Sequence, residues 1–319
     1  MTAPVPLVEL VRGGLREGVH FGSVVLLDAD GSVLRSAGDV RSPMFPRSTV
    51  KPAQALAMLR AGLDLPDDAD LALGASSHNG EPGHVERALA VLRRHGLDED
   101  ALRCPPDLPG HEPTRERWLA AGAAPSRLAM NCSGKHAAML ATCVQRGWPV
   151  EGYLDPAHPL QRGARDVLAE LSGDSIELTT VDGCGAPLFA ISLLGLARTF
   201  RGVVTAGGDA GRVADAMRAH PWLVAGTDRD DTALMTAIPG LLSKIGAEGV
   251  LALALPDGRA AAVKISDGAA RARGPVAVAA LRAFGVQVAG DELDRIAEQP
   301  VLGGGEQVGV LRFVAGALD

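Results

Sequence analysis

This chain uses lysine sparingly, which makes each lysine a candidate for chemistry. Of its 31 basic residues only 4 are Lys, at positions 51, 135, 244 and 264, and the other 27 are Arg. A background that trades Lys for Arg keeps lysine where arginine cannot serve. A guanidinium never gives up its proton, whereas a desolvated amine can act as base or ligand. The four lysines fall in short polar words: Ser48-Thr49-Val50-Lys51, Cys132-Ser133-Gly134-Lys135, Ser243-Lys244-Ile245-Gly246 and Val263-Lys264-Ile265-Ser266-Asp267-Gly268. Ser48 and Lys51 stand three apart at a predicted helix start, hence on one face. The positive end of a helix favours an uncharged amine, and an uncharged amine can take the proton of a serine hydroxyl. That is the chemistry of a Ser-Lys nucleophile, although Ser-x-x-Lys alone is common on solvated surfaces.

Two further words follow in order. Ser76-Ser77-His78-Asn79-Gly80 comes after an apolar stretch, and Ser243-Lys244-Ile245-Gly246 precedes a predicted hairpin. The succession Ser-x-x-Lys, Ser-x-Asn, Lys-x-Gly is that of penicillin-recognising serine enzymes. In such a site Ser77 and Lys244 flank the nucleophile, pass protons and hold the substrate near the attacked carbonyl. The plainer alternatives are a turn cap for Ser77 and a solvated loop cation for Lys244.

The four cysteines are Cys104, Cys132, Cys143 and Cys184. The amino terminus, 1–10, shows neither a basic run nor an apolar core, so no secretory signal is expected, and a disulfide framework is disfavoured. Cys104 and Cys143 read as small buried hydrophobes. Cys132 and Cys184 lie beside glycine-rich turns. They read as buried hydrophobes, as a redox pair, or as two thiolates of a zinc site whose third ligand is Lys135 or His136.

The elements that must position these residues follow from periodicity. Residues 19–28 and 32–37 read as a hairpin about a 28–31 turn, and 249–255 and 259–265 as another about Pro256-Asp257-Gly258. Helical periodicity marks the segment from Pro52 to Ala61, then 85–95, 115–121, 135–146, 160–171, 188–200, 210–220, 276–284 and 291–298, with a last strand at 308–314. Strands cluster at both ends and helices fill the middle. The simplest assembly is α/β (α+β): an antiparallel sheet built from both chain ends with an inserted helical lobe. Residues 1–319 then form one domain, with a sheet lobe of 1–50 and 176–319 and a helical lobe of 51–175. The net charge of −7 argues against a nucleic-acid partner, and 47% hydrophobic with 22% charged residues is an ordinary globular composition. No apolar run approaches the ~18 residues of a membrane span. A cytoplasmic protein is expected.

Taken together, Arg47-Ser48-Thr49-Val50-Lys51-Pro52-Ala53-Gln54, Ser76-Ser77-His78-Asn79-Gly80-Glu81, Asn131-Cys132-Ser133-Gly134-Lys135-His136, Val181-Asp182-Gly183-Cys184 and 263–268 resemble the asparaginase II family, the Rhizobium-type L-asparaginases. The likeness runs from about residue 7 to about 313. After Cys104 the sequence departs from the family, with Pro105-Pro106-Asp107-Leu108-Pro109 where Gly and a nearby His are common. The resemblance implies a serine-β-lactamase-like fold, a homodimer, and hydrolysis of L-asparagine to L-aspartate and ammonia. It implies two Ser-Lys pairs, Ser48 with Lys51 and Ser77 with Lys244. It places zinc on Cys132, Lys135 and Cys184, with water completing the shell, in a structural or substrate-orienting role. Arg47, His78, Asn79 and Asp182 are the expected substrate contacts: Arg47 or Arg229 for the α-carboxylate, Asp182 for the α-ammonium. The competing expectations are a penicillin-type hydrolase, an amidase for another amide, and a non-catalytic zinc or amino-acid-binding protein.

Overall fold

The computed structural model describes residues 3–318. β1 (Val5–Arg12), β2 (Leu15–Leu27) and β3 (Val33–Ala37) follow one another as antiparallel hairpins. β1 and the start of β2 precede the predicted hairpin because their charges break the apolar run. Those charges pair across strands: Glu9 accepts from Arg16 at 2.7 Å and from Arg312 at 2.9 Å.

The short β4 (Pro43–Met44) leads into a 3-10 turn, Arg47–Val50, and then α1 (Lys51–Arg60), which carries Pro52 in its first turn, where the missing N–H costs nothing. α2 (Asp68–Gly74) was hidden by its brevity; Asp67 caps it by accepting from the Ala69 N–H. α3 (Pro82–Arg94), α4 (Glu112–Ala120), α5 (Ser133–Arg146) and α6 (Pro159–Ser172) complete the inserted helices.

The helix predicted over 188–200 begins five residues later. β5 (Thr179–Val181) pairs with β6 (Pro187–Phe189), and β7 (Ile191–Ser192) pairs with β4, before α7 (Leu193–Thr205) starts. Ser192 sets that start by accepting from the Gly195 N–H at 2.8 Å. α8 (Gly208–Ala219), α9 (Pro221–Val224) and α10 (Asp230–Ala237) follow. Next come β8 (Leu242–Ile245), β9 (Val250–Ala254) and β10 (Ala260–Ile265), then α11 (Arg273–Ala283) and α12 (Asp291–Ala297). β11 (Glu298–Gly303) and β12 (Glu306–Phe313) finish the chain.

The main sheet runs β11-β12-β1-β2-β10-β9-β8, with β3 also on β2, and every pairing is antiparallel. Strands from both chain ends thus build one sheet, in an α/β architecture with the middle helices inserted. Side chains alternate across a strand, and here the alternation divides two cores. Val25, Leu27, Ala252, Ala254, Ala260 and Ala262 face the cluster that includes α1 and α5–α8. Val24, Leu26, Leu251, Leu253, Ala261 and Val263 face the cluster containing α10–α12. β9 and most of β10 are buried on both faces, so they read as continuous apolar runs. Among the described residues no helix is long and apolar enough to cross a membrane.

Gly134 is where the helices must come closest. A Cβ there would lie 2.5 Å from both the Leu73 side chain and its backbone oxygen, so α5 seats on the end of α2 only without one. Gly134→Ala is expected to cost about 1–3 kcal/mol, the usual range for overpacking. Urea denaturation of the variant against the wild type measures it.

Candidate active site

Lys51 is the first residue of α1, and its side chain turns inward until only 1% is exposed. The amine donates to the Ser76 carbonyl and lies 2.8 Å from Ser77 Oγ and 3.0 Å from Cys132 Sγ. Three chain segments therefore meet on one nitrogen. Ser48 lies half-buried on the 3-10 turn just ahead and makes no side-chain hydrogen bond among the described residues. Sequence spacing paired Lys51 with Ser48; the hydrogen bond joins it to Ser77. Lys244, expected beside Ser77, donates instead to its neighbour's carbonyl, Ile245 O, at 2.8 Å.

Behind Lys51 lies a buried sulfur cluster. Cys132 donates to Asn131 Oδ1 at 2.9 Å, and Lys135 Nζ is 3.1 Å from Cys184 Sγ. Cys132, Lys135 and Cys184 are each no more than 3% exposed. Cys132 beside it, then the Lys135 charge, hold the Cys184 thiol far below its ordinary value against the pull of burial. The Cys184 sulfur and burial push the Cys132 thiol up. Burial opposes the Lys135 charge, but the two sulfurs outweigh it and raise the amine. His136 points into the same region, with Nδ1 2.6 Å from Tyr153 Oη and Nε2 without a hydrogen-bond partner. Burial pushes its imidazolium down to about 4. Among the described residues no three His, Cys, Asp or Glu side chains converge as a metal set, so a third ligand beside the two sulfurs would be the lysine amine.

Lys244 belongs to β8 and is completely buried. Burial, with further repulsion from Lys51 and Arg229, lowers its amine to about 7, and Asp231 opposes the fall. Asp231 Oδ2 stands 3.7 Å from the amine. Gly246 lets this strand end approach the Arg47–Val50 turn, because a Cβ would sit 3.0 Å from the Pro46 carbonyl.

Arg47 has a left-handed φ of 55°, unusual for a side-chain-bearing residue, and its Nε donates to Asp182 Oδ1 at 2.7 Å. Asp182 and Cys184 share one tight turn, in which the Gly185 N–H bonds to the Asp182 carbonyl at 2.8 Å. A cavity of about 380 Å³ opens alongside, lined by Phe45, Arg47, Val181, Leu188, Glu248 and Lys264. His78 and Asn79 face protein groups. His78 Nδ1 accepts from the Gly80 N–H at 3.0 Å and Nε2 meets Ser133 Oγ at 2.9 Å, which fixes a neutral tautomer. Burial holds that ring well below its ordinary value. Asn79 donates to the Thr227 carbonyl and accepts from Arg229, both at 2.7 Å, so Arg229 is held on the 76–81 loop.

Sequence reasoning passed over Asp231, Asn131 and Tyr153. Asp231 lies at the start of α10, a short helix that periodicity does not mark, and only the fold reveals that it is buried. Asn131 stood in the Asn131–His136 word without a role of its own, and Tyr153 carried a signal in rarity alone, as the one Tyr.

Comparison with known proteins places this geometry in context. The family model described as L-asparaginase II matches residues 8–313. No curated protein matches the chain. Among solved structures, the native form of Mglu aligns at 15% identity over 85% of this chain and 66% of that one, with a TM-score of 0.47. A β-lactamase from Mycobacterium bovis aligns at 13% identity over 82% and 94%, with a TM-score of 0.40. A Bacillus glutaminase aligns at 14% identity over 84% and 92%, with a TM-score of 0.38. The chain spans just under two thirds of the length of the first of these.

Proposed function

Because the chain belongs to the L-asparaginase II family, we propose that it hydrolyses the side-chain amide of L-asparagine, giving L-aspartate and ammonia, with Ser48 as nucleophile. The observation that carries this reading is the buried Lys51 amine, held one turn after Ser48 and bonded to Ser77. Uncharged, that amine has two N–H donors and one lone pair. The Ser76 carbonyl can only accept, and the Cys132 S–H is engaged with Asn131. The lone pair is then left for a hydroxyl proton.

In the proposed reaction Ser48 Oγ bonds to the amide carbon as its proton passes to Lys51. The backbone N–H of Ser48, at the head of its turn, is the first candidate to stabilise the oxyanion. Ser77, hydrogen-bonded to Lys51, relays that proton to the departing nitrogen, and the C–N bond breaks to release ammonia. Water then opens the aspartyl ester with the same groups reversed. In this reading Arg47, which lines the cavity, takes the substrate's α-carboxylate, and Asp182, bonded to it, takes the α-ammonium.

A zinc ion and a homodimer form part of the proposal. The two thiols and the amine are soft and nitrogen donors of the kinds zinc accepts, gathered in a buried cluster. Cys132, Lys135 and Cys184 would hold the ion, which when bound supplies a positive charge that keeps the sulfurs ionised and Lys135 uncharged. Metal analysis is expected to find about one zinc per chain and to lose it in Cys184→Ala; a metal-free wild type would return the cysteines to packing.

Ser48→Ala should lower ammonia release from L-asparagine by about a thousandfold or more, and Lys51→Arg by about a hundredfold or more, with folding kept by circular dichroism. Activity of Ser48→Ala within tenfold of the wild type would move the nucleophile elsewhere. Lys244 is uncharged above about pH 7. The value of kcat/KM should therefore climb as pH rises through that region, and Lys244→Gln should remove the climb. A flat wild-type profile between about pH 6 and 8 would exclude a role for this titration.

A further inference from the structure

Asp231 is a buried carboxylate that the proposed reaction does not use. It is 0% exposed and holds β8 on either side of Lys244: Ser243 Oγ donates to Oδ1 at 2.7 Å, and the Ile245 N–H donates to Oδ2 at 2.8 Å. Those two donors are neutral and neither bond requires a charge: an amide in this place could accept from the Ile245 N–H while donating to the Ser243 hydroxyl. Burying a full charge is costly unless a partner charge compensates it. The cation nearest to it is the Lys244 amine, 3.7 Å from Oδ2 and itself completely buried.

We propose that Asp231 is a positioning residue that fixes the Lys244 amine in the site and, through its own charge, sets the pH at which that amine gives up its proton. The catalytic meaning of this assignment rests on the amide-hydrolysis reading above; its geometry does not. The other groups acting on Lys244 oppose or are weaker than this one. Lys51 of α1 and Arg229 ahead of α10 repel it, while Cys132 before α5 attracts it. His78 senses the same amine from the 76–81 loop. Asp231 in turn is flanked by Asp230 and by Arg273 at the start of α11. Removing the carboxylate charge leaves the repulsion and the burial unopposed.

Lysine scarcity makes the test direct. With only four lysines, each gives a resolvable signal when the full chain is labelled at lysine Cε and Nζ, and Lys244→Met assigns the one of interest. In folded Asp231→Asn the Lys244 midpoint should fall by about one to three pH units, the effect of removing an opposite charge at such a distance. A midpoint unchanged in the folded variant overturns the proposal. If Asp231→Asn does not fold, Ser243→Ala takes its place. It removes one neutral donor from the carboxylate while keeping its charge, so the Lys244 midpoint should rise, and a fixed or lower midpoint overturns the proposal. Ammonia release is measured separately. A moved midpoint in a chain that hydrolyses no amide would sink the enzymatic reading and leave this assignment standing, and an active enzyme with an unmoved midpoint would do the reverse.

Discussion

A buried amine with acceptors from separate stretches of chain is the constraint on which the rest of the site depends. An ammonium or amine out of water is tolerated only where its hydrogen bonds are replaced. Lys51 obtains them from the 76–77 segment and from Cys132. Those segments must therefore stay where α1 points. The Ser77 loop is held by Asn79 and Glu81 gripping the 226–229 segment, with the Thr227 N–H donating to Glu81 at 2.8 Å. Cys132 is held by α5, whose seat on α2 requires Gly134. Much of the inserted helical region thus serves to deliver three atoms to one nitrogen.

The same logic couples the serine turn to the sulfur cluster. Arg47 adopts its left-handed backbone while its guanidinium reaches Asp182, two residues from Cys184. Strain of this kind persists only where surrounding contacts over-determine it. Displacing the 182–185 turn would release the backbone that presents Ser48. The cysteines bear on the position of Ser48 by this route whether or not a metal ties them together.

The chemistry of the site was more legible in the sequence than its geometry. Lysine scarcity pointed to Lys51, Lys135 and Lys244, and all three are at most 2% exposed. The fourth, Lys264, shows the limit of the argument: half-buried, its amine ties off the carbonyls of Glu248 and Ile265 at the end of β10. Spacing put Ser48 and Lys51 on one face but could not show that the amine leaves toward Ser77. Asp231 escaped notice because no periodicity marks the short α10 and burial belongs to the tertiary structure. The central strands were readable from unbroken apolar runs. β1 and β11 were not, because charges such as Glu9, Arg12 and Glu298 interrupt their alternation.

The pairing of β1 with β12 sets Val8 opposite Phe313. During synthesis the first strand emerges hundreds of residues before the neighbour that will flank it, and non-local pairings of this kind fold slowly. Until then its outer edge is an open template for the wrong partner, guarded by Glu9 and Arg12 rather than by structure. The nascent chain is accordingly at its most vulnerable to aggregation late in translation, and a chaperone that shields the amino-terminal hairpin would matter more than one that acts on the helices.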